Sequence, residues 1–452
     1  MKHRMIPAAL AAVLCTGAAN AALAQTPAQT PAKPAAQVDF GNVRPPAPTS
    51  PYVKQAKALM ATKGFKTAKA TLEAGYDQTV ADIVTLTEIP APPFGEAEKG
   101  KAYLAMLAKE GLTELETDAA GNVMGLRKGT GGGGLLVVAA HLDTVFPAGT
   151  DTKVRRDGDK LYAPGIGDDT VGLGSILAIL RAINAAGIQT KSDILFVGDV
   201  GEEGPGDLRG MKELFLKGRY KDKIDAFISL EPSGPTVIVN GGVGSKRYKT
   251  TFKGPGGHSM GDFGTVNPAY ALADAARQFG QLKVPADPRT VYNVGLLEGG
   301  TSVNSIPFAV SMTVDMRSVG KDELKAVEDA YLAILPKAVE AENAARSTKR
   351  GVISLDNKLV GDRPVGETAI TTPFVQQLAA VGDALGKPMG YVAGSTDANI
   401  PMSLGKPAVT LGAGFVTFRG HSLEEGMEVN KDRDVESIAT TMAQILMVAG
   451  AH

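Results

Sequence analysis

The chain has 452 residues, 44% of them hydrophobic, which is enough to bury the cores of two or three globular domains. Its 47 basic and 48 acidic residues nearly cancel, so the composition gives no support to nucleic acid or an anionic membrane surface as a partner. Small, locally recognised ligands fit this balance better.

The N-terminal segment has the pattern of a secretory signal peptide. A basic start precedes an alanine-rich apolar run that closes on the sequence ALA at residues 22–24, which is typical of a cleavage site. We expect residues 1–24 to be removed near Ala24 and the mature protein to be periplasmic or secreted. Cys15, the only cysteine, would leave with this segment, which excludes disulfides, thiolate metal ligands and a cysteine nucleophile. No later stretch is apolar enough to span a bilayer, so the mature form is expected to make no membrane contact.

The rest of the chain reads as a linker followed by a split domain. Residues 25–50 are rich in proline and alanine and lack periodicity, which indicates an extended linker. Short apolar runs alternate with helical patterns over residues 51–244, which predicts an α/β fold with a mixed, largely parallel sheet. Residues 245–362 change to half-exposed strands with long helices, typical of a separate α+β unit. The first pattern returns in residues 363–452, so the simplest architecture is an α/β domain with a second domain inserted.

Acidic and histidine residues follow several of the predicted strands. The runs LLVVAA, ILFVGDV, AFISL and AVTLGAGF are followed, in this order, by His141 and Asp143, Glu202 and Glu203, Glu231, and His421. Another acidic pair, Asp168 and Asp169, lies in a glycine-rich turn just before a helical pattern. Because binding crevices of open α/β sheets form at the carboxyl ends of the strands, we expect these side chains to meet.

Histidine is scarce, and its positions sharpen this expectation. Apart from one histidine in the signal segment and one at the last position, the chain has only His141, His258 and His421, each in a turn bounded by glycine or aspartate. A single such histidine is more often an ordinary core or surface residue, and two adjacent glutamates alone could be a solvated loop. Converging carboxylates, however, repel one another unless cations neutralise them. The set predicts a metal centre whose nitrogen and oxygen donors suit zinc, and also cobalt or manganese.

Nine short motifs occur along the chain in one order: HLDTV, GIGDDTVG, GEEG, LEPSG, GPGGHS, GGTSVNSIP, DMRS, GSTDA and GHSLEEG. Each is weak alone, but the ordered series resembles the M20 family of metallopeptidases. These are two-metal amidohydrolases that include glutamate carboxypeptidases, aminoacylases and succinyl-diaminopimelate desuccinylases. The resemblance covers most of the chain from about residue 85 onward. It implies that residues 51–244 and 363–452 form the catalytic domain, and that residues 245–362 form a lid and dimerisation domain.

The resemblance also implies a set of metal ligands. His141 and Glu231 would bind one metal, Glu203 and His421 would bind the other, and Asp168 would bridge them. The expected cofactor is therefore two Zn²⁺ per chain, with Co²⁺ or Mn²⁺ as alternatives.

Two further residues gain roles from the same resemblance. Asp143 would accept the hydrogen bond that fixes the orientation of the His141 ring. Glu202 would be the general base that takes a proton from the attacking water and later gives it to the leaving amine. Of the two adjacent glutamates, Glu203 would thus bind metal and Glu202 would transfer protons.

The inserted segment would complete the site. By resemblance, His258 would reach the active site of a partner subunit in a homodimer and stabilise the oxyanion, and Asn304 would contact substrate from the same side. Arg317 would either pair with Asp315 or recognise a substrate carboxylate.

The expected function is that of an exported metallohydrolase that cleaves an amide or peptide bond in short peptides or N-acyl amino acids. An aminopeptidase acting on di- or tripeptides is the alternative within the same family. A non-catalytic, metal-loaded binding protein is the alternative from another class, and the presence of Glu202 argues against it.

Overall fold

The computed structural model describes residues 47–452, so the predicted signal peptide and linker residues 25–46 lie outside the described range. The last residue of the predicted linker, Ser50, already begins the first helix. The α-helices are α1 (Ser50–Ala61), α2 (Lys63–Ala74), α3 (Tyr76–Thr87), α4 (Ala97–Lys109), α5 (Val171–Ala185), α6 (Arg209–Leu216), α7 (Pro268–Phe279), α8 (Lys321–Ala345), α9 (Pro373–Ala384), α10 (Asn399–Ser403) and α11 (Lys431–Val448). The strands are β1 (Thr113–Thr117), β2 (Val123–Arg127), β3 (Leu135–His141), β4 (Arg155–Asp157), β5 (Lys160–Tyr162), β6 (Asp193–Asp199), β7 (Ile224–Glu231), β8 (Val237–Gly242), β9 (Gly244–Lys253), β10 (Gly257–His258), β11 (Thr290–Gly299), β12 (Ser305–Ile306), β13 (Ala309–Ser318), β14 (Ser354–Arg363), β15 (Gly366–Glu367), β16 (Gly390–Gly394), β17 (Ala408–Gly412), β18 (Val416–Phe418) and β19 (Gly426–Glu428).

A nine-stranded mixed sheet forms the main layer. Its strands run in the order β1-β2-β6-β3-β7-β17-β8-β15, and β16 pairs with β8. The central strands β6, β3, β7 and β17 are parallel to one another. The pairs β1–β2, β2–β6, β17–β8 and β15–β8 are antiparallel, and β16 pairs parallel with β8. The predicted α/β class with a mixed sheet is confirmed, with parallel pairing concentrated at the centre.

The composition of the central strands explains why they lie in the middle of the main sheet. Every residue of β3, which reads LLVVAAH, is buried, as expected of a strand covered on both faces. Helix α5 packs against it and is apolar almost all round, with twelve buried residues among its fifteen. Gly174 lets α5 approach α3 closely, because a Cβ atom at this position would lie 2.4 Å from Ile83. The main core therefore fixes the start of α5, where the predicted metal-bridging aspartate lies.

A second, four-stranded antiparallel sheet has the order β11-β13-β9-β14. Helices α7 and α8 pack on it, and Phe252, Phe279 and Tyr331 belong to a hydrophobic cluster made only of residues from this part of the chain. The sheet runs from the start of β9 to the end of β14, close to the boundaries predicted for the inserted unit. Its assignment as a separate lid and dimerisation domain stays a prediction.

Two smaller sheets complete the fold. Strands β18, β19, β5 and β4 form one in that order, and β10 pairs with β12 in the other. Within residues 47–452, none of the helices combines the length and the apolar character that a bilayer span requires.

Candidate metal centre

Three adjacent parallel strands bring their last residues to one edge of the main sheet. His141 ends β3, Glu231 ends the neighbouring β7, and Asp199 ends β6 on the other side. The loop that follows β6 carries Glu202 and Glu203, both of them buried. This topology places these residues at the carboxyl edge of the central parallel strands.

Asp168 lies in a short turn, Ile166–Thr170, that leads into α5, and its own backbone is not helical, with φ −125° and ψ 94°. The backbone N–H groups of Gly167 and Asp168 both donate to Oε1 of Glu425, at 2.9 Å each. Glu425 is completely buried. A carboxylate from the other end of the chain therefore holds the turn in place.

His421 comes soon after the AVTLGAGF run, but the short strand β18 lies between them. His421 is in the loop between β18 and β19. Its backbone has a φ of 64° and its N–H donates to Oε2 of Glu425 at 3.3 Å. A positive φ is unfavourable for a residue other than glycine, so the loop must be held by its surroundings.

Asp168 joins the two histidines. Nε2 of His141 lies 3.0 Å from Oδ1 of Asp168, and Nε2 of His421 lies 3.2 Å from Oδ2. The same nitrogen of His421 is 2.7 Å from Oε1 of Glu203. The structure thus brings together four of the five predicted metal ligands, with one carboxylate between the two imidazoles.

The charges of this cluster shift the pKa values of its members strongly. Burial opposes protonation of His141, but the hydrogen bond to Asp168 and the surrounding carboxylates outweigh it and raise the pKa of this ring. Hydrogen bonds to Asp168 and Glu203 raise the pKa of His421 to about 10. Burial alone would raise the pKa of Asp168, yet the two imidazoles lower it. The carboxylates thus favour positive charge on their nitrogen neighbours.

Asp143 contacts His141 through its backbone carbonyl and not, as expected, through its carboxylate. Nδ1 of His141 lies 2.9 Å from the backbone carbonyl oxygen of Asp143, whereas the nearest carboxylate oxygen is 3.8 Å away. The carboxylate instead accepts the backbone N–H groups of Gly201, Glu202 and Glu203 at 2.7, 3.1 and 2.9 Å. The main chain orients the His141 ring, and the side chain fixes the loop that carries the two glutamates.

Glu202 is ion-paired with Arg363, a residue that no motif of the sequence marks. Nη1 of Arg363 lies 3.0 Å from Oε1 of Glu202, and the guanidinium also donates to the backbone carbonyl of Glu202 and, at 3.1 Å, to Oγ of Ser395. Both partners of the ion pair are buried. Burial raises the pKa of Glu202 to about 7, against the lowering effect of the Arg363 charge. A carboxyl group with this pKa can exchange protons near neutral pH.

Glu231 and two aspartates form the rear of the site. Oε1 of Glu231 accepts a hydrogen bond from Oγ of Ser229 at 3.3 Å, and burial together with the charge of Glu202 raises its pKa. Asp199 and Asp397 are completely buried, and burial raises the pKa of both. The role of Glu231 as a metal ligand stays a prediction.

The residues predicted from the inserted segment are not part of this cluster. His258 is exposed, and its Nδ1 accepts the N–H groups of Met260 and Gly261 at 3.2 Å each. Asn304 is also exposed, and its backbone carbonyl accepts the N–H of Ser259 at 3.0 Å. Within this chain these two residues therefore lie beside each other, in loops joined by the β10–β12 pair.

Arg317 takes the first of the two roles considered for it. Its Nε lies 2.7 Å from Oδ2 of Asp315. Oδ1 of the same carboxylate accepts from Arg247 at 2.9 Å. Asp315 is thus shared by two arginines, and recognition of a substrate carboxylate by Arg317 stays a prediction.

The donors fit a divalent metal centre. Two groups, His141 with Glu202 and Glu203, and Asp168 with Glu203 and His421, each offer ligand atoms within 4.8 Å of one another. All these atoms are imidazole nitrogens or carboxylate oxygens, which zinc, cobalt and manganese accept. Glu203 belongs to both groups, which makes a pair of neighbouring metal positions compatible with the arrangement.

Sequence reasoning overlooked the residues that support these donors. Arg363 ends a strand of the second sheet, far from any of the acidic motifs along the chain, so no local pattern marks it. Glu425 was visible only as part of GHSLEEG, where either glutamate could have been a surface residue. Arg363 and Glu425 gain their roles only by pairing with residues that are distant in the sequence.

Comparison with known proteins agrees with this geometry. A profile of Peptidase family M20/M25/M40 matches residues 137–448, which is more than half of the chain. Carboxypeptidase G2 of Pseudomonas sp. (strain RS-16) is 24% identical over 343 residues, covering 74% of this chain and 80% of that protein. The structure of aminopeptidase PepT from Bacillus cereus ATCC 10987 has 21% identity and a TM-score of 0.65, and covers 82% of this chain and 98% of that one.

A second solved structure bears on the metals. The YXEP protein of Bacillus subtilis, described as a dinuclear metal binding peptidase from the M20 family, has 16% identity and a TM-score of 0.61, covering 83% of this chain and 98% of that one. At this identity the likeness shows the fold alone. The family profile carries the assignment, and the chain belongs to peptidase family M20/M25/M40.

Proposed function

We propose that this chain is a two-metal hydrolase that cleaves amide or peptide bonds in short peptides or N-acyl amino acids. Membership of the M20 family makes it a hydrolytic enzyme acting on peptide or amide bonds. The observation that carries the finer proposal is the position of Glu202, a buried carboxyl held by Arg363 within ligand distance of His141 and Glu203. A site that only bound metal would have no need of an additional acid–base group held there.

The residues of the chain would divide the reaction as follows. His141, Asp168, Glu203, Glu231 and His421 would hold two metal ions. When bound, such ions polarise the scissile carbonyl and lower the pKa of water. Glu202 would take a proton as the water attacks the carbonyl carbon, and would return it to the nitrogen as the C–N bond breaks. The net change is hydrolysis, with a carboxylic acid and an amine as products.

The similarity to carboxypeptidase G2 supports substrates with a free carboxylate, and the structural likeness to aminopeptidase PepT supports the alternative of an aminopeptidase. We expect zinc-loaded protein to hydrolyse dipeptides and N-acyl amino acids whose carboxyl end is free, and to fail when that end is amidated. Release of amino acid from a panel of dipeptides and N-acyl amino acids blocked at one end measures this.

Glu202→Gln, which can keep the contact with Arg363 but cannot accept the proton, should lower kcat at least about 100-fold while metal content stays unchanged. Activity only on substrates with a free amine would favour the aminopeptidase, and an active Glu202→Gln variant would reject the assigned base.

Arg363 should set the pH at which the enzyme becomes active. Glu202 must be unprotonated to act as a base, so its raised pKa is expected to place the acidic limb of the kcat/KM profile near neutral pH. In Arg363→Met the loss of the positive charge should raise the pKa of Glu202 further and move this limb to higher pH. Arg363→Lys, which keeps a charge, is the control. An acidic limb that stays in place in Arg363→Met would contradict the link between the two residues.

The exposed position of His258 supports its proposed action in a partner subunit of a homodimer. We expect His258→Ala to impair turnover without loss of metal. A mixture of the His258→Ala and Glu202→Gln variants should recover up to about a quarter of wild-type activity, because half the dimers would be mixed and each would contain one complete site. No recovery on mixing, measured alongside the oligomeric state, would count against a shared site.

Export is proposed from the signal pattern of residues 1–24. Protein recovered from the periplasm or the medium should begin at Gln25, as read by N-terminal sequencing. An unprocessed chain confined to the cytoplasm would refute this.

A further inference from the structure

The turn that follows His258 closes on the side chain of Asp262. Oδ2 of Asp262 accepts the backbone N–H of His258 at 2.7 Å, and the backbone carbonyl of His258 accepts the N–H of Asp262 at 2.8 Å. Gly257 permits the carboxylate to come this close, because a Cβ atom at that position would lie 2.6 Å from Oδ2. The backbone N–H and carbonyl of His258 are therefore both bonded to Asp262.

Arg350 holds the same carboxylate from the other side. Its Nη1 forms an ion pair with Oδ1 of Asp262, the oxygen that His258 does not use. The segment that carries Arg350 is itself joined to the segment after Asp262, because the N–H of Ser347 donates to the carbonyl of Gly264 at 2.8 Å. The hydrogen bond from His258 and the ion pair with Arg350 lower the pKa of Asp262, so this side chain is a carboxylate at neutral pH.

The turn also determines which nitrogen of the His258 ring carries the proton. Nδ1 accepts the backbone N–H groups of Met260 and Gly261, as described above. A ring nitrogen that accepts hydrogen bonds has no proton, so the neutral ring carries its proton on Nε2. Nε2 is thus the atom with which the exposed ring can donate a hydrogen bond, as stabilisation of an oxyanion requires.

The ion pair is too exposed to contribute much to the stability of the fold. The side chains of Arg350 and Asp262 are 54% and 24% exposed, and solvent screens the attraction between charges in such positions. Its effect is expected to be local, on the turn that contains His258. A role in positioning this turn can therefore be separated experimentally from a role in folding.

We propose that Asp262 and Arg350 are positioning residues for His258. The ion-paired carboxylate holds the turn in which Nδ1 of His258 accepts backbone hydrogen bonds, and so presents Nε2–H as the donor to the oxyanion. This inference rests on the proposed function because it concerns the proposed role of His258. Its first test requires no turnover, so a failure of the proposed function would not be mistaken for a failure of the positioning pair.

The first test is amide hydrogen exchange of the metal-loaded protein, followed by mass spectrometry. Arg350→Met removes the charge that holds Asp262, and should raise early deuterium uptake in residues 257–262 at least about 3-fold, while uptake in α7 and Tm stay unchanged. Arg350→Lys keeps a charge and should restore most of the protection. The matched control Lys349→Met removes the neighbouring exposed charge and leaves the contact between Asp262 and Arg350 in place. Equal uptake in Arg350→Met and Lys349→Met would overturn the proposal.

The second test determines whether the pair acts through His258. Asp262→Ala should lower kcat at least about 10-fold, because the ring would no longer be held in the position from which Nε2–H donates. In the His258→Ala background the same substitution should have no further effect, since a positioning residue has no task once the ring is absent. If Asp262→Ala does not fold, Arg350→Met replaces it in this comparison. A loss of kcat of the same size in both backgrounds would show a role independent of His258 and overturn the proposal.

Discussion

The concentration of buried negative charge at one edge of the main sheet is the constraint on which the rest of this structure depends. Parallel strands β6, β3 and β7 all end there, and the turns that join them add further carboxylates. Burying ionised groups without compensation is strongly unfavourable. Each feature around the site can be understood as a source of compensation: two imidazoles, the guanidinium of Arg363, many backbone N–H groups, and the metal ions that the donor set fits.

The carboxylates fall into two groups with different tasks. Those of Asp168 and Glu203 face the histidines and offer oxygen atoms to a cation. Those of Asp143, Asp169 and Glu425 face away and bind the backbone of the loops that carry the first group. Ligand atoms held in this way lose little freedom when a metal binds, which is how the surrounding residues of a metal site contribute to its affinity.

The second sheet is also connected to the loop that carries Glu202. Arg363 at the end of β14 holds the side chain of Glu202, and Nη1 of Arg247 in β9 donates to the carbonyl of Gly204 at 3.2 Å. The N–H of Asp362 donates to Oδ1 of Asp207 at 2.8 Å. A change in the position of this sheet would therefore be transmitted to Glu202, for which an acid–base role is proposed.

The sequence by itself determined the fold class and indicated the edge of the sheet at which the acidic and histidine side chains lie. Short apolar runs that end on His141, on the glutamate pair and on Glu231 were sufficient, because parallel strands deliver their carboxyl ends to one place. Tertiary structure alone decided how those donors are supported. Arg363 and Glu425 act across long separations in the chain, the first on Glu202 and the second on the turn that carries Asp168. Spacing along the chain also does not predict that Asp143 contacts His141 through its backbone carbonyl, or that His421 lies in the loop between β18 and β19. The reason is that spacing does not fix which atoms of distant turns come into contact.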